Sequence, residues 1–219
     1  MPFSVLELKS LIRELVARSE LQEAQVYLQI TRGTALRQHA FPPDTQPSLV
    51  IYVAAVKVID PGIRVIGVKA VTAPDLRWAN CFIKSLNLLP NVLAKETAKV
   101  SGAVEAIFVR DGGIISEGSS SNVFAVINGR LVTPPTDGHV LEGITRHLCF
   151  NLGDLSGHPV QEEVLTLGDL RLADEIFITS TTLEILPVVE LDRKPVGRGV
   201  PGSVTLGLYE NFQELLRKA

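Results

Sequence analysis

Short apolar runs rich in β-branched residues, each closed by Gly, Pro, Asp or Asn and separated by single helical stretches, constrain this 219-residue chain more than any other feature. Val5, Leu6, Leu8, Leu11, Ile12, Leu15 and Val16 recur at helical spacing with Glu7, Lys9, Arg13 and Glu14 between them, which predicts an amphipathic helix over 4–18. Val26, Leu28 and Ile30 alternate with Tyr27, Gln29 and Thr31, so 24–32 reads as a strand. Residues 48–58 read as a second, more fully buried strand, bracketed by Pro42-Pro43 and Asp60-Pro61-Gly62. Residues 59–62 read as a linker between a small domain (1–58) and a large one (63–219).

Past the linker the pattern predicts a strand over 64–73 and a helix over 91–101 stopped by Gly102. Strands over 104–110 and 122–126 are expected, joined through the turn signal Asp111-Gly112-Gly113. Helices over 143–152 and 166–171, strands over 175–179 and 187–191, and a closing amphipathic helix over 204–217 complete the expectation. Interleaved short strands and single helices argue an α/β or α+β fold, and no Gly-rich phosphate loop follows the first strand, so a doubly wound sheet is not expected.

Composition removes several function classes. With 46% hydrophobic and 21% charged residues the chain is expected to pack a core rather than stay disordered. A net charge of −3 without a basic stripe argues against a nucleic-acid partner. Cys81 and Cys149 form no Cys-x-x-Cys pair, so neither a disulfide framework nor a thiolate metal site is expected, and a reducing cytosol fits best. No basic run precedes an apolar core at the start, and no apolar stretch is long enough to span a bilayer, so neither export nor a membrane partner is expected.

Five stretches carry chemistry. Lys84 lies among Cys81, Phe82, Ile83, Leu86, Leu88 and Leu89. A desolvated amine of lowered pKa suits Schiff-base chemistry, although a lysine snorkelling from an edge has the same pattern. Glu117-Gly118-Ser119-Ser120-Ser121-Asn122 sets an acid beside hydroxyls at a strand entry. It suits a carboxylate pairing with a protonated ring nitrogen and serine donors for a cofactor, or an ordinary polar turn. Leu141-Glu142-Gly143-Ile144-Thr145-Arg146 opens a helix whose free N–H groups suit a phosphate, or is a plain helix start. Thr179-Ser180-Thr181-Thr182 offers hydroxyl donors, or a β-rich turn. Arg37 and His39 follow the first strand, where the Arg fork matches a carboxylate, or lie in a surface loop.

In this order the stretches resemble class IV aminotransferases, the fold-type IV pyridoxal-phosphate enzymes, and within them the D-amino-acid type. Arg32-Gly33-Thr34 through Phe41-Pro42 and Ile83-Lys84-Ser85-Leu86-Asn87-Leu88-Leu89 carry the resemblance most specifically. It implies a small α/β domain and a large domain with a barrel-like sheet and flanking helices. It implies pyridoxal 5'-phosphate as cofactor and transamination between a D-amino acid and a 2-oxo acid. The alternatives in the same fold are a branched-chain aminotransferase or an aminodeoxychorismate lyase, and outside it a non-catalytic, truncated subunit.

By resemblance Lys84 is the Schiff-base lysine and proton carrier, Glu117 pairs with the ring nitrogen, and Leu141 packs on the ring. Ile144, Thr145 and Thr181 hold the phosphate, Arg77 and Ser121 stand near the cofactor, and no metal is implied. Arg37 and His39 bind the substrate carboxylate in the neighbouring subunit's site, which implies a homodimer. The family begins with further strands ahead of the helix near Ser4, so an arginine for the phosphate and a tyrosine facing the substrate have no counterpart here.

Overall fold

A computed structural model describes residues 3–57 and 59–218, in two compact units, Met1–Val58 and Ile59–Ala219. In the first, helix α1 (Val5–Ser19) starts at a capping box: Ser4 Oγ accepts from the Glu7 N–H at 3.2 Å, and Glu7 Oε2 accepts from the Ser4 N–H at 2.7 Å. Strands β1 (Ala24–Thr31) and β2 (Ser48–Ala55) pair antiparallel, with Tyr27 directly opposite Tyr52 and the two rings stacked at 4.9 Å. The expectation that 48–58 is more fully buried than 24–32 does not hold. β2 alternates, with Val50 and Tyr52 exposed, because a pleated strand sends successive side chains to opposite faces. Its expected end, Val58, lies outside the described residues.

The second unit opens differently from the strand expected over 64–73. Asp60 Oδ1 accepts from the Gly62 N–H at 2.9 Å and starts a short helix, α2 (Gly62–Ile66). Gly67, at φ 75°, ends it, and a Cβ there would sit 2.3 Å from Val189 Cγ1, so only glycine fits. Strand β3 (Val68–Pro74) follows, then α3 (Leu89–Val100) and β4 (Glu105–Val109). The Asp111–Gly113 turn leads into β5 (Ile115–Gly118) rather than directly to the strand at 122. Then come β6 (Asn122–Ile127), β7 (Arg130–Thr133), α4 (Ile144–Leu155), β8 (Val160–Glu162), α5 (Leu167–Leu172), β9 (Glu175–Ser180), β10 (Glu184–Leu191), β11 (Lys194–Pro195) and α6 (Ser203–Lys218).

The strands form one mixed sheet in the order β5-β4-β3-β10-β9-β6-β7-β8, with β11 on β10. Its two edges approach each other: the Ile115 N–H donates to Leu165 O at 2.8 Å and Ile114 bridges Thr166, so the sheet curls toward closure. One face holds Ile107, Val123, Ile176, Ile178, Leu186 and their neighbours in a single apolar core. On the other face α4 and α6 cover Phe124, Phe177 and Ile185, while α3 lays Ala94 and Ala98 onto Phe108. Phe124 and Phe177 stack at 4.8 Å across the β6–β9 pair. This rigid sheet carries the polar site at the ends of β5, β6 and β9.

Candidate active site

Glu117 sits near the end of β5 with only 6% of its surface exposed. Its Oε1 accepts from Arg77 Nη1, and its Oε2 accepts from the Leu141 N–H at 2.9 Å and from Asn122 Nδ2 at 3.2 Å. The same Asn122 amide donates to Leu141 O at 2.8 Å, so the 138–143 loop is tied to the carboxylate twice. A Cβ on Gly143 would come within 2.2 Å of Asn122 Oδ1, so the glycine lets that loop close on the amide.

Arg77 is equally enclosed. Its Nε and Nη2 reach Asp75 Oδ1 and Oδ2, both at 2.8 Å, and Nη2 also donates to His139 O at 2.9 Å. Ser116 donates to Asp75 Oδ2 at 2.6 Å, and the guanidinium lies 4.4 Å from the Phe108 ring centroid. One cation therefore serves two buried carboxylates. Burial pushes the Glu117 carboxyl above its ordinary range despite Arg77. At Asp75 burial acts the same way, but hydrogen bonds from Arg77 and Ser116 outweigh it and hold that carboxyl low. With two carboxyls and one guanidinium, ionisation of both acids leaves one negative charge that a further cationic group can satisfy.

Beside it, α4 begins at Gly143 with no side-chain cap, leaving the first N–H groups of a 12-residue helix free for an anion. Thr145 is buried there and Ile144 is exposed. On β9, Thr179 pairs with Asn122 across the sheet, and its buried Oγ1 has no partner among the described residues. Thr181 and Thr182 are exposed in the β9–β10 turn. Arg64 Nη2 pins the base of that turn through Leu183 O at 3.1 Å and Glu184 Oε2 at 2.6 Å.

Two expectations are corrected. The serine turn does not present its hydroxyl protons outward: Ser119, Ser120 and Ser121 all donate to the carboxylate of Glu105, Ser120 and Ser121 at 2.9 Å. A hydroxyl has one proton, so Ser121 is left only its lone pairs for any other group. Lys84 is exposed in the single chain rather than desolvated, and so are Phe82, Ile83, Leu86, Leu88 and Leu89 around it. The reason is local: 82–88 carries no regular secondary structure, and the side chains predicted to enclose the amine, the buried Cys81 excepted, lie on the surface with it. Both ends of this segment are nonetheless fixed to the site. The Cys81 N–H donates to Gly138 O at 2.7 Å, and Asn91 Nδ2 donates to Ser119 O at 2.9 Å. Arg37 and His39 belong to the first unit, exposed in the loop after β1.

The model of the family described as amino-transferase class IV matches residues 1–191. D-alanine aminotransferase of Staphylococcus aureus (strain MW2) is 42% identical over 215 residues, covering 98% of this chain and 76% of that protein. The chain belongs to the class IV aminotransferases. D-alanine aminotransferase of Bacillus licheniformis is 40% identical over 211 residues, 96% of this chain and 74% of the relative. Among solved structures, the branched-chain amino acid aminotransferase from Thermobaculum terrenum in its PLP-form superposes on this aminotransferase at a TM-score of 0.83 with 27% identity, covering 97% of this chain and 71% of that one.

Class IV aminotransferases depend on pyridoxal phosphate, and this aminotransferase has residues that fit it. The surplus anion at Glu117 suits a protonated ring nitrogen. The uncapped start of α4 and the unpartnered Thr179 hydroxyl suit a group rich in acceptor oxygens. Asp75, Ser116 and Glu105 are enclosed members of the cluster that sequence reasoning gave no role, and Asn122 was marked only as part of the polar stretch 117–122. Glu105 had a signal, a lone acid at the head of the apolar run 106–109. Ser116 had none, since only folding brings it to Arg77, whereas Asp75 stands two residues from Arg77 and was given no role.

Proposed function

We propose that this aminotransferase moves an amino group from a D-amino acid to a 2-oxo acid, with Lys84 as covalent anchor and proton carrier. The observation that carries this reading is the 40–42% identity to D-alanine aminotransferases over nearly the whole chain. The branched-chain alternative draws on solved structures at 26–29% identity.

When bound, pyridoxal phosphate supplies an aldehyde that condenses with amines and a ring that withdraws electrons. Glu117 holds the proton on the ring nitrogen, and Arg77, anchored by Asp75, keeps Glu117 charged while it does so. Leu141 would pack against the ring, and its N–H fixes Glu117 Oε2. The first N–H groups of α4 at Ile144 and Thr145, with Thr181, would hold the phosphate. Ser121 contributes as an acceptor or through its backbone. Lys84 Nζ takes the proton from the substrate Cα, a general-base role that contributes typically about 10²–10⁴-fold. Over the full cycle the D-amino acid would leave as its 2-oxo acid and the accepting 2-oxo acid would leave as an amino acid, the water consumed in the first half being released in the second.

The exposed apolar run around Lys84 supports a homodimer in which a second copy covers this segment and supplies desolvation. In that assembly Arg37 and His39 bind the substrate carboxylate of the partner's site, as the family resemblance implies. Small domain, linker and cofactor-binding domain are read as residues 1–58, 59–62 and 63–219. Two free cysteines, both buried, accord with the cytoplasm. The decisive assay offers D- and L-alanine separately with 2-oxoglutarate and measures the amino acid formed. Turnover with the D-enantiomer is expected, and preference for the L-enantiomer would overturn the substrate reading while leaving the family assignment intact.

A further inference from the structure

We infer that Glu105 is a positioning residue that sets the Lys84 segment and the Glu117 carboxylate in one fixed relation. Glu105 is wholly buried at the head of β4, yet it belongs to none of the groups given a role above. Its carboxylate accepts from Ser119 Oγ, from Ser120 and Ser121 Oγ at 2.9 Å, and from the Ala106 N–H at 2.9 Å, while Lys95 Nζ stands 3.2 Å away. A buried carboxylate left without donors is costly, so these donors are held to it strongly.

The donors come from two places that matter. Three are consecutive residues of the tight turn between β5 and β6, closed by the Gly118 N–H donating to Ser121 O at 2.7 Å. Glu117 precedes that turn and Asn122, which bonds Glu117, follows it. Backbone and carboxylate pack closely: a Cβ on Gly118 would lie 2.1 Å from Ser121 Oγ and 3.1 Å from Glu105 Cγ. The fourth side-chain donor, Lys95, is on α3, the helix that leads directly out of the Lys84 segment. Asn91, one turn earlier on α3, holds Ser119 O. Glu105 therefore joins the arm carrying Lys84 to the turn carrying Glu117, and rotation of either arm breaks bonds at this one carboxylate. This rests on the reading of Lys84 and Glu117 given under the proposed function.

The test compares the full-length protein with Glu105→Gln and, should that variant not fold, Lys95→Met, whose side chain is 42% exposed and tolerates replacement. Pyridoxal phosphate is titrated by visible absorption, and the induced circular dichroism of the bound cofactor is recorded beside the apo melting temperature. Glu105→Gln is expected to bind about tenfold more weakly and to show an altered dichroic band, and Lys95→Met to shift both in the same direction by about threefold. A band and an affinity equal to those of the unsubstituted protein, whatever the melting temperature, would overturn the inference. Borohydride reduction of the unsubstituted protein separates the two readings. A pyridoxyl group on Lys84 with unchanged Glu105→Gln behaviour sinks only the positioning role, and its absence from Lys84 sinks both.

Discussion

At the scale of single residues, the chemistry is governed by one guanidinium shared between two buried acids. Removing it in Arg77→Met leaves Glu117 and Asp75 without their cation, and breaking a buried pair from one side costs about 3–5 kcal/mol. Urea unfolding of the apo protein is expected to show a loss of that size. Glu117→Gln keeps an acceptor for the Leu141 N–H and loses the charge. Arg77 keeps Asp75 as partner, so the variant's stability loss should be smaller than that of Arg77→Met while its turnover falls sharply, a contrast read by unfolding and assay side by side. The sign of the pH effect follows from burial. A carboxyl raised in the fold above 4.5 adds stability below that pH and loses it as pH rises through the raised value, so this component should vanish in Glu117→Gln. Cys149, pushed up to about 12 by burial, is expected to resist maleimide at about pH 8 until the protein is unfolded.

At the scale of elements, the long helices and the short α5, β4, β6 and β9 were legible, whereas α2, β5, β7, β8 and β11 were not. α1, α3 and α6 lie within two residues of the stretches their apolar spacing marks, as helix ends allow, and α4 runs three residues past its expected end. β5, with Ile115-Ser116-Glu117-Gly118, is too short and too polar to show a period of two, and β8 has three residues. Their pairing partners create them. The start of α6 shows another device hidden from sequence, because Glu175 on β9 caps it from afar. Its carboxylate accepts from the Val204 N–H at 3.1 Å and the Thr205 N–H at 2.8 Å. Glu175→Ala should cost about 1–2 kcal/mol of stability, measured by thermal unfolding, since a charged cap at a helix N-terminus is lost. Gly143→Ala would drive a methyl into Asn122 Oδ1 and is expected to weaken cofactor affinity, readable by absorption titration.

At the scale of the whole molecule, the order of motifs pointed to the family and the large-unit site formed around Glu117, but the environment of Lys84 was not legible. Local apolar neighbours predict burial only if the fold turns them inward, and here they form surface that a second copy is proposed to cover. The dimeric account therefore expects that a charge placed in this run, as in Leu86→Asp, lowers the association state in analytical ultracentrifugation and lowers cofactor affinity with it. A ligand that binds only the folded state also raises its melting temperature, by about 2.7 kcal/mol of stabilisation at a hundredfold excess over Kd. The most direct measurement treats the cofactor-loaded protein with borohydride, digests it and maps the pyridoxyl mass by tandem mass spectrometry. A single modified peptide bearing the group on Lys84 is the predicted result, and a label confined to any other lysine would contradict the account.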